Sequence, residues 1–253
     1  MRIADRATDA AARFVPTAEA HELTGAVVVV DVLRAFSTAA YALASGASRI
    51  YLVGSVTEAL AFKTAHPGTL AMGEEHGRRP AGFDFANSPV ELASAHIAGR
   101  TIVQRTSAGT QGVVAALAAQ RLWCAALVNA SATARAVLAA GLGPPTYVIT
   151  GWASPQPGSG EDDLATAELI ERARLGLPLD AAATAARIAS SEEAVRTLSI
   201  GEGHVHPEDV DRSVAVDAFE FAMEVTRTPL GLRLVRVDPE DRDRFGAGAA
   251  PAG

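Results

Sequence analysis

Acidic and basic side chains stand directly after the most apolar segment of the chain. Residues 27–30 are four consecutive valines, and Asp31 and Arg34 follow them. A buried lone carboxylate is costly unless it meets a partner, a cation or a ligand, and an arginine can bind a phosphate or sulfonate through two hydrogen bonds. Asp31 could therefore bind a metal or act as a nucleophile, and Arg34 could hold an oxyanion. The alternatives are a helix cap for Asp31 and a structural ion pair for Arg34.

A long, glycine-punctuated segment, 73–89, carries a second set of polar side chains. Glu74 and Asp84 supply carboxylates, and Asn87 and Ser88 supply an amide and a hydroxyl. Long loops in a compact domain are usually functional, and hard oxygen ligands of this kind suit Mg²⁺. The alternative is a solvated acidic loop in which Asn87 or Ser88 caps the helix that Pro89 opens.

A third set follows the predicted strand 101–104, where the chain turns into a helix. Its members are Arg105, Thr106, Ser107, Gly109 and Thr110. Free backbone amides and the helix dipole can make such a turn an anion site. The segment has no lysine and no nucleotide P-loop spacing. Asn129 follows the next predicted strand and is either a helix cap or a contact to the ligand.

A fourth set opens a helix after the Gly/Pro-rich segment 151–160. Glu161, Asp162 and Asp163 are favoured in a first helical turn by the dipole alone, which explains any one of them without function. That explanation leaves open why every informative polar cluster follows a strand. His204 and His206 have the spacing of a metal pair but no evident third ligand, so we favour a solvated loop there.

The elements that must position these residues alternate between short apolar runs and alanine-rich amphipathic runs. Predicted strands are 26–33, 49–53, 69–72, 101–104, 122–127 and 146–149. Predicted helices are 35–45, 56–65, 89 to before 99, 109–119, 130–140 and 161–175. This alternation predicts an α/β fold with a mostly parallel sheet and helices on both faces.

The pattern changes after residue 175. Helices are predicted near 180–190 and 192–198, and alternating apolar residues in 219–225 and 230–234 predict a terminal strand pair. We expect one domain over 1–241, with 176–241 as a candidate C-terminal subregion. A disordered tail is expected over 242–253.

Composition excludes several classes of protein. The 253 residues include 29 acidic and 22 basic side chains, a net charge of -7, whereas a nucleic-acid binder usually has a basic excess. The hydrophobic fraction of 49% supports a core and excludes a disordered chain. No apolar stretch reaches membrane-spanning length. A single cysteine, Cys124, and an N-terminus unlike a secretory signal predict a cytoplasmic protein.

Five segments, taken together, resemble the 2-phosphosulfolactate phosphatase (ComB) family. They are VVVVDVLRAFST, GEEHGRRPAGFDFANSP, QRTSAGTQG, VNASA and SGEDDLATA, and they occur in the family's order and spacing. The resemblance implies the family's α/β fold and a Mg²⁺-dependent hydrolase acting on a small sulfonated phosphoester. In archaea that reaction is a step of coenzyme M biosynthesis. It also allows a homodimer.

The resemblance assigns roles by position. The candidates for metal and catalytic carboxylates are Asp31, Glu74, Asp84, Glu161 and Asp162. The candidates for the anion cradle are Arg34, Asn87, Ser88, Arg105, Thr106, Ser107, Gly109, Thr110 and Asn129. Whether an aspartate or a metal-bound water attacks phosphorus stays open.

Two rival functions use the same residues. A haloacid-dehalogenase-type phosphatase also ends a buried strand with an aspartate, but it needs a second aspartate two residues later, where this chain has Leu33. A protein that binds a phosphorylated or sulfonated metabolite without chemistry would also use the anion cradle. The abundance of carboxylates disfavours it, because they repel an anion unless a metal intervenes.

Overall fold

The computed structural model describes residues 11–153 and 160–238. Its strands are β1 (Arg13–Pro16), β2 (Ala26–Val30), β3 (Arg49–Leu52), β4 (Leu70–Gly73), β5 (Thr101–Arg105), β6 (Arg121–Ala125), β7 (Thr146–Ile149), β8 (Ala222–Thr228) and β9 (Gly231–Val237). Its helices are α1 (Ala35–Ala44), α2 (Val56–Ala65), α3 (Pro89–Ser94), α4 (Gly109–Ala115), α5 (Ala130–Ala140), α6 (Glu161–Arg174), α7 (Ala181–Ala189), α8 (Glu192–Ser199) and α9 (Asp209–Ser213). Short 3-10 turns occupy Thr17–Glu22, Leu127–Asn129 and Thr150–Ala153.

The described strands form one nine-stranded sheet in the order β1-β7-β2-β6-β8-β9-β3-β5-β4. The predicted α/β class, the mostly parallel sheet and the terminal strand pair are confirmed. The strand pair lies in the middle of the sheet, between a parallel block β1-β7-β2-β6 and a parallel block β3-β5-β4. Its three antiparallel pairings, β6 with β8, β8 with β9 and β9 with β3, make the two blocks run in opposite directions.

The sheet curls around α1, which is the most deeply buried helix of the site region. Every residue of α1 from Ala35 to Leu43 is buried, because the helix is apolar or small on all sides. Val27 and Val29 of β2 pack with α1, whereas Val28 and Val30 pack on the other face of the sheet. This burial of β2 on both faces confirms the prediction from its valine run, and burying each valine stabilises the fold by about 1.5–3 kcal/mol.

The curl brings the ends of oppositely directed strands together. Gln104 at the end of β5 donates from Nε2 to the carbonyl of Ala35, which follows β2, over 2.9 Å. Because β2 and β5 belong to different blocks, their carboxyl ends would lie at opposite edges of a flat sheet. The rolled sheet instead places both ends at one site.

Several predicted features differ from the structure or lie outside it. The strand predicted over 26–33 ends at Val30, and the helix predicted over 109–119 ends at Ala115. The predicted tail 242–253 and most of the predicted loop 151–160 lie outside the described residues. The single domain over 1–241 stays a prediction. Within the described ranges, no helix combines the length and apolarity that crossing a bilayer requires.

Candidate active site

Asp31 occupies the turn between β2 and α1 and is buried. Its Oδ1 accepts a hydrogen bond from the Ala35 amide over 2.8 Å, so the helix-cap alternative describes part of its role. Burial raises the pKa of Asp31 to about 6, and the negative charge of Glu74 adds to that rise. Helix capping alone does not require a second carboxylate at this place.

Gly109 is the point at which α4 meets Asp31. A Cβ at residue 109 would lie 2.7 Å from Asp31 Oδ2 and 2.7 Å from the Cβ of Ala35, closer than real Cβ atoms come to other atoms. Only glycine permits this approach, through which the Gly109 backbone amide hydrogen-bonds to the Asp31 carboxylate. The predicted turn at 105–110 therefore does reach the predicted carboxylate.

Glu74 is tied to the turn that follows β5. Its carboxylate accepts hydrogen bonds from the Gly77 amide over 2.6 Å, from the Ser107 hydroxyl over 3.0 Å and from the Ser107 amide. The close approach of the two strand ends depends on Gly73, since a Cβ there would lie 1.9 Å from the carbonyl oxygen of Arg105. Ser107 thus contacts Glu74 with the groups that were expected to hold substrate.

The first turn of α6 completes the cluster of carboxylates. Asp163 Oδ1 accepts from the Val32 amide over 2.9 Å, and Asp162 Oδ2 accepts from the Leu33 amide over 3.2 Å. Burial raises the pKa of Asp162 to about 7, with further contributions from the charges of Glu193 and Asp31. Burial also raises the pKa of Asp163, and Asp162 and Asp31 add to it. Acidic groups that face one another in a low-dielectric site favour a bound cation or a shared proton.

Asp163 was given no catalytic role from the sequence, although it is as buried as Asp162. Its Oδ2 accepts from the Thr150 hydroxyl over 3.0 Å and from the Gly151 amide over 2.9 Å. With the Val32 bond, this carboxylate joins the ends of β2 and β7. No signal in the sequence indicated its role, because acidic residues in a first helical turn are expected from the helix dipole alone.

Arg34 is buried and forms the ion pair that was its alternative interpretation. Its Nη1 donates to Asp209 Oδ2 over 2.7 Å and to the carbonyl of His204 over 3.1 Å. Burial lowers the pKa of Arg34, and the charges of Asp209, Glu74 and Asp31 oppose that fall, so the guanidinium lies near all three carboxylates. Asp209 is its hydrogen-bonded partner, and the candidate site carboxylates Glu74 and Asp31 act on it through their charge.

Asn87 and Ser88 lie at the start of α3. Ser88 Oγ donates to Asp209 Oδ1 over 2.6 Å and accepts from the Glu91 amide over 3.2 Å, so the capping alternative holds for Ser88. Asn87 is 4% exposed, and its Oδ1 has no hydrogen-bond partner among the residues that the structure describes. A buried amide oxygen without a partner is costly, which makes Asn87 a candidate contact to a bound ligand.

Other predicted substrate contacts hydrogen-bond within the protein. Thr106 and Thr110 exchange hydrogen bonds between their hydroxyls and each other's backbone amides. Arg105 Nη1 donates to the Glu74 carbonyl over 2.8 Å. Asn129 Oδ1 accepts from the Ala126 amide over 3.0 Å, which holds the turn after β6. These four residues shape the strand ends from which the site is built.

Two predicted carboxylates have partners apart from the cluster. Asp84 pairs with Lys63 over 2.6 Å and accepts from the Ala71 amide over 2.7 Å, beside the middle of β4. Glu161 pairs with Arg187 over 2.6 Å, on the side of α6 that faces α7. No described contact joins either one to Asp31, Glu74 or Asp162, within residues 11–153 and 160–238.

The donor set at the strand ends fits Mg²⁺ in its chemistry. Asp31, Glu74 and Asp162 are buried carboxylates. Burial raises the pKa of Asp31 and of Asp162, and repulsion by Glu74 at Asp31, and by Glu193 and Asp31 at Asp162, adds to the rise. A divalent cation would relieve that repulsion. In the described ranges no group of three or more His, Cys, Asp or Glu side chains is arranged to hold a metal ion. Mg²⁺ commonly uses one or two carboxylates together with substrate phosphate and water, which this set can supply.

Comparison with known proteins matches this chain to one family. The sequence model of the family described as 2-phosphosulpholactate phosphatase matches residues 14–206. The chain is 34% identical to a probable 2-phosphosulfolactate phosphatase of Bacillus subtilis over 199 residues, which are 78% of this chain and 86% of that protein. It is 41% identical to a protein of the same description from Thermus thermophilus over 145 residues, 57% of this chain and 59% of that one. A third, from Carboxydothermus hydrogenoformans, is 44% identical over 109 residues, 43% and 45% of the two chains.

Proposed function

The chain belongs to the 2-phosphosulfolactate phosphatase family, and from this premise we propose that it removes phosphate from a small sulfonated phosphoester. Members of the family are phosphoric monoester hydrolases, and 2-phosphosulfolactate, which yields sulfolactate and phosphate, is the first candidate substrate. One observation carries the proposal. The buried carboxylate of Asp31 lies at a strand end, and its charge acts on the pKa of the buried Arg34 guanidinium.

Arg34 and Asn87 are the proposed contacts to the substrate's anionic groups. The guanidinium keeps one nitrogen on Asp209, which leaves its other N–H groups for a phosphate or sulfonate. The amide of Asn87 is buried and its oxygen is unpartnered among the described residues, so a bound polar group would satisfy it.

Asp31 and Glu74 are the proposed holders of Mg²⁺, with Asp162 beside them. When bound, Mg²⁺ supplies positive charge that offsets the charge of the phosphate. The protein itself holds the carboxylates in place through the Ala35, Gly77 and Ser107 groups, so they need no rearrangement when substrate arrives.

Asp31 and Asp162 are the proposed reacting groups. In one route the Asp31 carboxylate attacks phosphorus, the ester bond breaks, and water then hydrolyses the aspartyl phosphate to free the carboxylate and phosphate. In the other, Asp31 accepts a proton from a water that attacks phosphorus as the ester bond breaks. The leaving oxygen needs a proton, and Asp162 can provide it, because burial and neighbouring charges favour its protonated form.

A panel of small phosphoesters tests the proposal. Phosphate release is measured for 2-phosphosulfolactate, for its analogue with a carboxylate in place of the sulfonate, and for simple sugar phosphates, each with Mg²⁺ and with excess chelator. We expect release from the sulfonated ester that stops in chelator and returns with Mg²⁺. Full activity in chelator would contradict the metal requirement, and thermal shifts on phosphate without turnover of any ester would favour the binding-protein alternative.

Cellular location and assembly are also part of the proposal. The single cysteine, Cys124, is buried and its thiol pKa is raised by burial, which suits a core position in a reducing compartment such as the cytoplasm. A small-molecule phosphoester is the proposed partner, the acidic net charge disfavours nucleic acid, and a homodimer stays a prediction.

A further inference from the structure

Asp209 is fully buried and accepts hydrogen bonds from three separate segments of the chain. Its Oδ2 accepts from Arg34 Nη1 over 2.7 Å and from the His206 amide over 2.9 Å. Its Oδ1 accepts from Ser88 Oγ over 2.6 Å and from the Val90 amide over 3.3 Å. Each carboxylate oxygen thus has two donors, which fixes the orientation of the group.

The segment that carries Asp209 also contacts Arg34 through its backbone. The carbonyl of His204 accepts from the same Nη1 over 3.1 Å, and His204 Nδ1 accepts from the Arg79 amide over 3.0 Å. The segment around His204 and His206, which was predicted to be a solvated loop, therefore binds both the loop 73–89 and the guanidinium. The Asp209 carboxylate and the His204 carbonyl together hold Nη1 of Arg34 on the side of α9.

Two sets of negative charge compete for this guanidinium. Asp209 is its hydrogen-bonded partner, and the negative charges of Glu74 and Asp31 also act on it. If Asp209 lost its charge, attraction would draw Arg34 toward Asp31, where an ion pair would use the groups needed for substrate and metal.

We propose that Asp209 is a positioning residue that holds the Arg34 guanidinium away from Asp31 and Glu74 and aims its remaining N–H groups at the anionic substrate. The inference rests on the proposed function, in which Arg34 contacts the substrate. It adds to that function a residue outside the strand ends, brought to the site by the C-terminal segment.

A double-mutant cycle on Arg34 and Asp209 tests the role. Asp209→Asn is expected to lower kcat/KM about 10–100-fold, mainly through KM, as loss of one charged contact does. If Asp209 acts through Arg34, the same change in an Arg34→Ala background should alter kcat/KM by less than about threefold. Equal losses in both backgrounds would overturn the proposal, since a merely structural role gives additive effects.

Ser213→Ala is the matched control. Ser213 is buried in α9 and donates to the Asp209 carbonyl over 2.8 Å, so its loss weakens the same helix without touching the carboxylate. We expect kcat/KM within about twofold of the parent for this variant. A loss as large as that of Asp209→Asn would assign the effect to α9 stability and overturn the proposal.

A second variant and a second measurement cover a failure to fold or to turn over. If Asp209→Asn does not fold, Asp209→Glu replaces it in the cycle, because it keeps the charge and displaces the carboxylate by one methylene. The ¹⁵N-resolved guanidinium signals of Arg34, assigned with Arg34→Lys, report its restraint without any substrate. Broadening or loss of these signals in the Asp209 variant is expected, and unchanged signals would overturn the proposal. If the parent releases phosphate from no ester, the proposed function fails while this measurement still decides the positioning role.

Discussion

Replacing Asp31 with asparagine should raise stability and lower activity at the same time. Asparagine keeps the shape of the side chain and can still accept the Ala35 amide through its oxygen, because the two residues rank alike as helix caps. The neutral asparagine amide cannot attack phosphorus, and it brings no negative charge to Mg²⁺. Phosphatase activity should therefore fall by about 100-fold or more, by analogy with removal of other charged catalytic groups.

The stability gain follows from the pKa of Asp31. Burial and Glu74 raise that pKa from 3.8 to about 6, so the folded state binds the proton more tightly than the unfolded state does. The associated stability is present below pH 4 and is lost as the pH rises through about 6. At about 1.4 kcal/mol per pH unit, the ionised carboxylate costs the folded protein about 3 kcal/mol at pH 8.

The asparagine variant avoids this cost. In the parent, the Gly109 amide hydrogen-bonds to an Asp31 carboxylate oxygen, whereas in the variant it would face the side-chain NH₂, which is also a donor, and this offsets part of the gain. We expect a net gain of roughly 1–3 kcal/mol at pH 8 in chelator. At pH 5 we expect roughly half of that gain, because Asp31 is still mostly protonated in the folded state but already ionised in the unfolded state. Urea unfolding of both proteins at pH 5 and pH 8 measures the difference. Circular dichroism confirms that the variant is folded when its activity is assayed.

Asp180→Asn is the matched control, because Asp180 caps α7 through the Ala183 amide at the protein surface. It should change neither the stability at either pH by more than about 0.5 kcal/mol nor the activity. An Asp31→Asn variant that is less stable than the parent at pH 8, or equally shifted at both pH values, would refute the electrostatic argument. One that keeps most of its activity would reduce Asp31 to a helix cap.

Two further substitutions test the geometry of the site. Arg34→Lys should lower kcat/KM about 10–100-fold although the charge is kept, because one ammonium cannot reach Asp209 and a substrate oxyanion in the way a planar guanidinium can; kinetics equal to the parent would make Arg34 purely structural. Gly109→Ala should cost roughly 1–3 kcal/mol and reduce activity, because its Cβ would lie 2.7 Å from Asp31 Oδ2. Gly54→Ala is its control, since the nearest atom to a Cβ there is 3.5 Å away, and thermal unfolding of the two variants by equal amounts would contradict the argument.

Local sequence patterns predicted the strands and helices well wherever the residues of one element suffice to determine its secondary structure. The valine run of β2 is one example. The capping box of α2 is another, because Ser55 and Glu58, which exchange its hydrogen bonds, are only three residues apart. The insertion of the β8–β9 hairpin between two oppositely directed blocks was not predictable, because strand order depends on pairing partners distant in sequence. The same holds for β1, whose four residues offer too short a pattern.

The candidate site was predictable where a residue type is unusual for its element, and otherwise not. Asp31 is conspicuous after four valines, and its burial beside Glu74 agrees with the expectation. Asp209 sits in an acidic, polar stretch in which an aspartate is ordinary, so no local pattern separates it from Glu208 or Asp211. Its importance comes from the fold, which buries it among donors from three segments.

The balance of charge around Arg34 connects these observations. Apart from Asp209, the negative charges that act on the buried Arg34 guanidinium are those of Glu74 and Asp31, the residues proposed to hold the metal. Asp209 gives the guanidinium an ion-pair partner that is not needed for chemistry. Burial raises the pKa of Asp31 and of Asp162, and neighbouring carboxylates add to that rise, so ionising these groups costs the folded protein stability. A cation that binds the folded state alone would offset part of that cost, so metal binding should stabilise the protein.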